Sequence, residues 1–287
     1  MNPEWIGKTI QLEFQAAFQD AEIYLNGRLA GSHKGGYTAF VVDISSLAQE
    51  GTNLLFVRLN NLSDAQLAPR AGENVFNGGL YRDVSLIVKD PLHVDWYGTH
   101  VITPAVSAYH ATLSIETMVV NANAHDVECK LISRIEYEGA LLFETAQTGV
   151  LQFGESRNFK QAREVNQPNL WHPDTPHLYT LTSQLFENDW LKDEFTTEFG
   201  IPWFHLDAKK GFFLNGSHYD ILGANVHQDH AGWRDAVTHA GISRDVRLIK
   251  DCGMNFIRGS RILQQLLTRA SGDECCRRKR GNLLESE

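Results

Sequence analysis

Cysteine is scarce in this chain, with 4 in 287 residues, at Cys129, Cys252, Cys275 and Cys276. Neither the spacing of a zinc ribbon nor the density of a disulfide framework is present, so the thiols read as reduced. Long apolar runs are lacking too. No stretch approaches the roughly 20 apolar residues of a membrane-spanning helix, and residues 1–10, interrupted by Glu4 and Lys8, have no continuous apolar core such as a signal peptide carries. The chain as written is therefore expected to be soluble, unexported and cytoplasmic, without a membrane partner. Its compartment stays open, because an export signal could stand upstream of Met1. Positive charge is also short: the formal net charge is -9, and since 6 of the 26 basic and 4 of the 35 acidic residues fall at or after Arg261, residues 1–260 carry -11. That sign speaks against a nucleic-acid partner. Repeats and low-complexity tracts are missing before Ser260, which excludes a repeat architecture.

What is present is an ordinary globular composition, 43% hydrophobic and 21% charged, in a chain long enough for two or three domains. From Lys8 to Asp90 the pattern is β throughout. Ile10-Gln11-Leu12-Glu13-Phe14, Ala21-Glu22-Ile23-Tyr24-Leu25 and Val84-Ser85-Leu86-Ile87-Val88 are short alternating or apolar runs. Asn26-Gly27 between two such runs predicts a hairpin, because a type I′ turn needs positive φ at both central residues. This region reads as a sandwich or jelly roll. From Pro91 to about Phe199 a second all-β set follows, spaced as in an immunoglobulin-like sandwich. Trp171, set among Pro168, Pro173 and Pro176, reads as a rigid lead-in to the strand at Leu178, proline being tolerated at strand entries but not inside a central strand.

After Ile201 the grammar changes. A hairpin is predicted around Asn215-Gly216, then an apolar strand over residues 219–225, a helix over residues 239–252 and a second strand over residues 255–258. Ile242, Val246 and Ile249 fall on one face of that helix, and Gly253 is placed to end it. The pattern is the first strand-helix-strand unit of something larger, since a lone unit leaves both strand edges unpaired. Such units present functional groups at the carboxyl ends of their strands. His227, Asp229, His230 and Trp233 follow the first strand, and Arg258 and Ser260 end the second, so they are expected to share one rim. Two imidazoles and a carboxylate in His227-x-Asp229-His230 also admit a metal-dependent hydrolase. Sugar contact is the preferred reading, because two β-sandwiches ahead of a barrel are common in polysaccharide enzymes and unexplained by that alternative.

The run Ala21-Glu22-Ile23-Tyr24-Leu25-Asn26-Gly27, with His33-Lys34-Gly35-Gly36-Tyr37-Thr38-Ala39-Phe40 and Asn77-Gly78-Gly79-Leu80-Tyr81-Arg82-Asp83-Val84, resembles the sugar-binding domain of glycoside hydrolase family 2. Leu170-Trp171-His172-Pro173 is similar to its immunoglobulin-like domain, and Gly223-Ala224-Asn225-Val226-His227-Gln228-Asp229-His230 and Asn255-Phe256-Ile257-Arg258-Gly259-Ser260 to the opening of its TIM barrel. The resemblance is closest to the β-galactosidase branch. It implies a multidomain, mainly β chain: a partial jelly-roll sugar-binding domain over 1–90, an immunoglobulin-like β-sandwich over 91–200, the first βαβ portion of an incomplete TIM (β/α)8 barrel over 201–260, and an aberrant tail over 261–287. It implies a β-galactoside-like carbohydrate substrate, a homo-oligomer in the intact family, and no cofactor or metal. By the same resemblance, His227 is a sugar-pocket histidine and Arg258 supports the catalytic nucleophile. Asp229 and His230 line the pocket, and Glu73 and Asn74 belong to the loop by which the first domain reaches the substrate.

The family pattern fails at three places. The family has strands before the point matching Lys8, Pro202 stands where it usually has arginine, and after Ser260 its His-Tyr-Pro is replaced by Arg261-Ile262-Leu263 and a tail containing Cys275-Cys276-Arg277-Arg278-Lys279-Arg280. A frameshift near codon 260 is the expected cause of that change, and the other two reading frames are expected to restore His-Tyr-Pro. Retaining hydrolysis uses two carboxyls about 5 Å apart, and no residue of this chain matches the family's two glutamates. No catalytic residue is assigned, and the polypeptide is expected to be inactive alone. A non-catalytic carbohydrate-binding or scaffold protein is the alternative from another class.

Overall fold

The computed structural model describes residues 1–62, 64, 66–67, 78–226 and 230–259. They form two compact units, one of Met1–Lys89 with residues 223–259, the other of Asp90–Leu222.

The first unit opens with a single 3-10 turn, Pro3–Trp5, whose first free amide, Glu4 N–H, donates to the Asn2 side chain at 3.0 Å. Six strands follow: β1 (Thr9–Phe14), β2 (Asp20–Leu25), β3 (Arg28–Lys34), β4 (Phe40–Asp43), β5 (Leu55–Asn60) and β6 (Val84–Lys89). They build two antiparallel sheets, in the orders β4-β1-β6 and β3-β2-β5. Alternation decides the inward faces. Ile10, Leu12 and Phe14 of β1, Ala21, Ile23 and Leu25 of β2, and Phe40 and Val42 of β4 make one buried cluster. The β2–β3 hairpin turns where the sequence predicts, with φ of 51° at Asn26 and 77° at Gly27.

The second unit holds β7 (Leu92–Val106), β8 (His110–Asn121), β9 (Val127–Tyr137), β10 (Ala140–Leu151), β11 (Ser156–Asn166), β12 (Tyr179–Glu187) and β13 (Trp190–Phe199). A four-stranded sheet, β10-β9-β12-β13, and a three-stranded sheet, β11-β8-β7, contribute jointly to its apolar clusters. Seven strands split four and three, all antiparallel, are an immunoglobulin-like sandwich. The proline-framed stretch before β12 is structural. Trp171 N–H donates to Ile201 O at 3.2 Å, its carbonyl accepts from Asn215 Nδ2 at 2.9 Å, and a Cβ at Gly200 would lie 2.8 Å from the Trp171 side chain. A meander completes the unit: β14 (Phe204–Asp207), β15 (Gly211–Leu214) and β16 (Ser217–His218).

The chain then returns to the first unit with β17 (Gly223–Val226), α1 (His239–Asp251) and β18 (Phe256–Gly259), the two strands pairing in parallel. Ile242 and Val246 of α1 are buried, and the helix stops before Gly253 at φ 81°. Thr238 caps its start, accepting from Gly241 N–H at 3.2 Å. The first parallel strand begins at Gly223 rather than Tyr219, because Tyr219 N–H is taken by Phe212 O at 2.9 Å and so finishes the meander. No helix among the described residues is long and apolar enough to cross a membrane.

Candidate functional site

Parallel pairing sets Asn225 opposite Arg258 and Val226 opposite Gly259, so the carboxyl ends of β17 and β18 lie side by side. At this end Arg258 Nη1 donates to Asn225 Oδ1 at 3.4 Å, and both side chains are exposed. An arginine so held offers its remaining N–H groups outward as a fixed, always-charged fork, suited to carboxylates and to sugar hydroxyls.

The loop after β17 leads to a tight turn over residues 230–234. His230 O accepts from Arg234 N–H at 2.7 Å and His230 N–H donates to Arg234 O at 3.1 Å, with Gly232 at φ 93° and Arg234 at φ 50°. This turn directs the His230 ring to the helix: its centroid is 4.8 Å from the Trp233 ring and Nε2 is 4.0 Å from Asp245 Oδ1 of α1. Nδ1 lies 2.9 Å from Ala231 O, so this nitrogen carries the proton and donates. His230 and Arg258 thus have separate sets of partners. Of the other residues singled out in the sequence, His227, Asp229, Glu73 and Asn74 lie outside the described residues. Among the described residues no group of three His, Cys, Asp or Glu side chains could hold a metal ion.

A second cluster within this unit was not singled out as functional in the sequence. Tyr81 Oη donates to Gly36 O at 2.5 Å, and Arg82 donates to Tyr37 O at 3.2 Å and Gln15 O at 3.4 Å, its guanidinium 5.3 Å from the Tyr81 ring centre. Burial pushes the Tyr81 phenol up, and burial pulls Arg82 down against the opposing pull of Tyr81 and Asp235. Asp235, at 8% exposure, belongs to the segment between β17 and α1. Next in sequence, Asp83 Oδ2 lies 3.6 Å from His239 Nε2 at the start of α1. The run Tyr81-Arg82-Asp83 therefore ties the six-stranded part of the unit to the strand-helix-strand part, next to the loop that carries the candidate rim. In the sequence the run stands out as part of a family motif, but its contact with Asp235 and His239, about 150 positions away, is not visible there.

Comparison with known proteins gives these features a lineage. The model described as "Glycosyl hydrolases family 2, sugar binding domain" matches residues 1–91, and "Glycosyl hydrolases family 2" matches residues 93–201. A beta-galactosidase of Bacteroides ovatus is 35% identical over 257 residues, covering 88% of this chain and 30% of the relative. A beta-glucuronidase of Bacteroides fragilis is 30% identical over 265 residues, covering 90% of this chain and 38% of the relative. Among solved structures, a beta-glucuronidase of Bacteroides uniformis is similar with a TM-score of 0.89 at 35% identity, over 93% of this chain and 33% of that one. The chain thus spans about a third of the length of the relatives it matches.

Proposed function

Because this chain belongs to glycosyl hydrolase family 2, we propose that its 287 residues supply the sugar-recognition side of a β-glycosidase acting on terminal β-linked sugars by a retaining mechanism. On this reading 1–90 is a partial jelly-roll sugar-binding domain, 91–200 the immunoglobulin-like sandwich, and 201–260 the start of the TIM barrel, of which the meander up to Leu222 packs with the sandwich unit and the parallel strands begin at Gly223. The reading is carried by one observation, the parallel register that sets Arg258 beside Asn225 at the carboxyl ends of β17 and β18. In strand-helix-strand architectures this rim is where substrate is held.

The roles follow from the chemistry of the side chains. Arg258 is the arginine that, by the family resemblance, supports the catalytic nucleophile, a guanidinium favouring the ionised form of a carboxylate placed beside it. By the family resemblance His227, Asp229, Glu73 and Asn74 are assigned to contact with the sugar. His230 is assigned to the same pocket, its ring held by Trp233 and Asp245. A retaining hydrolase needs an acid/base carboxyl and a nucleophilic carboxyl about 5 Å apart, and neither family glutamate has a counterpart in this chain. The polypeptide alone is thus a sugar binder without turnover. Two sugars fit the names its relatives carry, a galactoside and a glucuronide, and the galactoside is favoured by the motifs.

Calorimetric titration of the purified chain with galactose, glucuronate and a β-galactoside tests the reading. Saturable binding to at least one, weakened about tenfold in Arg258→Ala (roughly 1.4 kcal/mol), supports it, and no binding to any of them overturns the recognition role. Release of chromophore from a chromogenic β-galactoside above a vector control would overturn the assignment of inactivity.

A further inference from the structure

The interior of the immunoglobulin-like unit is divided into two apolar clusters. One contains Leu113, Ile115, Ile135 and Leu181, the other Val119, Leu131, Phe159 and Leu185. The division falls at one level of every central strand. Thr117 lies between Ile115 and Val119 on β8, Ser133 between Leu131 and Ile135 on β9, and Ser183 between Leu181 and Leu185 on β12, while Gln161 follows Phe159 by one inward step on β11. Within each sheet register aligns the polar side chains: Ser133 stands opposite both Ser183 and Thr145, and Thr117 opposite Thr99, while on β11 Phe159 stands opposite Thr117 and Gln161 one inward step away, opposite Ile115.

These side chains are buried, Thr117, Ser133 and Ser183 at 0% exposure and Gln161 at 8%. The hydroxyl oxygens of Thr99, Thr117, Ser133 and Ser183 and both amide atoms of Gln161 have no hydrogen-bond partner in the protein. Thr145 at the edge of the layer differs, because its hydroxyl accepts from Arg163 Nη2 at 2.6 Å. Buried hydroxyls and amides are ordinarily satisfied, and leaving several unpaired in one place is destabilising.

We propose that this layer is an internal water-binding site, in which a small cluster of waters bridges the two sheets through Thr117, Ser133, Ser183 and Gln161. Size and chemistry both select water. Serine and threonine stand where the flanking levels carry leucine and isoleucine, so the shorter side chains leave room for a molecule occupying about 30 Å³. The unpaired groups of the layer are hydroxyls and an amide, which suit a neutral ligand that both donates and accepts, and the Arg163 guanidinium reaches only its edge, on Thr145. On the order of one buried water per 27 residues is usual, and the waters replace a continuous apolar core with a bridged polar seam.

A crystal structure of the full chain should show density for water within about 3 Å of at least two of the Thr117, Ser133, Ser183 and Gln161 polar atoms. A layer without such density, its hydroxyls bonded to one another instead, overturns the proposal. The variant Thr117→Val keeps the shape and removes one partner of the waters. Its unfolding temperature should fall by about 2–4 °C, while Thr117→Ser stays close to the parent. An unchanged or raised temperature in Thr117→Val would also overturn the proposal, since removing an unpaired hydroxyl from a dry layer does not destabilise.

Discussion

In the immunoglobulin-like unit the inward residues Leu113, Ile115, Leu131 and Ile135 are all at 0% exposure, whereas in the six-stranded unit Leu55, Val84 and Leu86 keep 40, 39 and 43%. The three exposed residues are inward by register: Leu86 stands opposite Leu12, Val84 opposite Phe14, and Leu55 opposite Leu25. Alternation along the strands is equally good in both units, so propensity is not the difference. Closure is. The inner faces of β8 and β9 have a strand on either side, while β5 and β6 are each paired on one side only among the described residues. An inward-facing side chain is buried only where neighbouring strands extend beyond it, and an edge strand keeps its apolar row half in water. The first unit adds to this a pair of parallel strands, β17 and β18, that pair only with each other among the described residues.

The comparison is broken most directly by truncating one inward leucine in each unit. Leu131→Ala leaves a cavity in a fully enclosed cluster and should cost about 3 kcal/mol. Leu86→Ala removes a side chain already 43% exposed, and should cost about 1 kcal/mol or less. Urea unfolding followed by hydrogen exchange on peptides of each unit measures both. Equal losses would show that closure does not separate the two sandwiches.

The thiols sharpen the same contrast. Cys129, at 2% exposure in the closed unit, is pushed up from 9.0 to about 11 by burial, while Cys252 beyond α1 in the other unit is exposed. Alkylation of native protein with iodoacetamide, read peptide by peptide, should modify Cys252 and spare Cys129 until unfolding. A raised folded value means that the protonated thiol is favoured by folding. Its contribution is complete below about pH 9 and is lost as the pH rises toward 11, by on the order of 2 kcal/mol. The part of the alkaline loss that begins near pH 9 should shrink in Cys129→Val, leaving the part that the raised Tyr81 and Tyr179 phenols contribute at higher pH. An identical alkaline limb in parent and variant would show the thiol to be accessible in the folded unit.

Much of this architecture was legible because backbone geometry restricts the residues that can serve. Asn26-Gly27 and Asn215-Gly216 turn with positive φ at all four residues, which few other dipeptides tolerate. The α1 face was visible from Ile242 and Val246, both buried. The run beginning at Tyr219 was misleading for a physical reason: apolar residues finishing a meander read like those beginning a parallel strand, and only the partner Phe212 distinguishes them. Of the candidate site, Arg258 was legible from its place at the end of an apolar run. The orientation of His230 was not, because a turn through Gly232 and Arg234, rather than its spacing from His227, sends its ring toward Asp245. Arg82 and Asp83 were visible as part of a family motif, but their connecting role was not, because Asp235 and His239 lie far along the chain. The polar level through Thr117, Ser133 and Ser183 fits ordinary alternation on each strand, and becomes visible only when register sets Ser133 beside Ser183 in one sheet and Thr117 beside Thr99 in the other.

The smallest predicted effect concerns how α1 is held in the more open unit. Thr238 precedes a first turn with no acidic residue, so the reciprocal partner of a capping box is missing and the threonine hydroxyl alone satisfies Gly241 N–H at 3.2 Å. Ile242, one residue on, is 4% exposed, so the capped turn also carries the first apolar contact of the helix. Thr238→Ala leaves that amide unpaired and should cost about 1 kcal/mol, whereas Thr238→Ser, which keeps the acceptor, should stay within a few tenths of the parent. Hydrogen exchange on the first-turn amides of α1 reads the difference. Faster exchange confined to the first unit, with β8 and β9 unchanged, is the expected pattern. Equal acceleration in both units would mean that the two sandwiches unfold together, and would remove the distinction drawn from their closure.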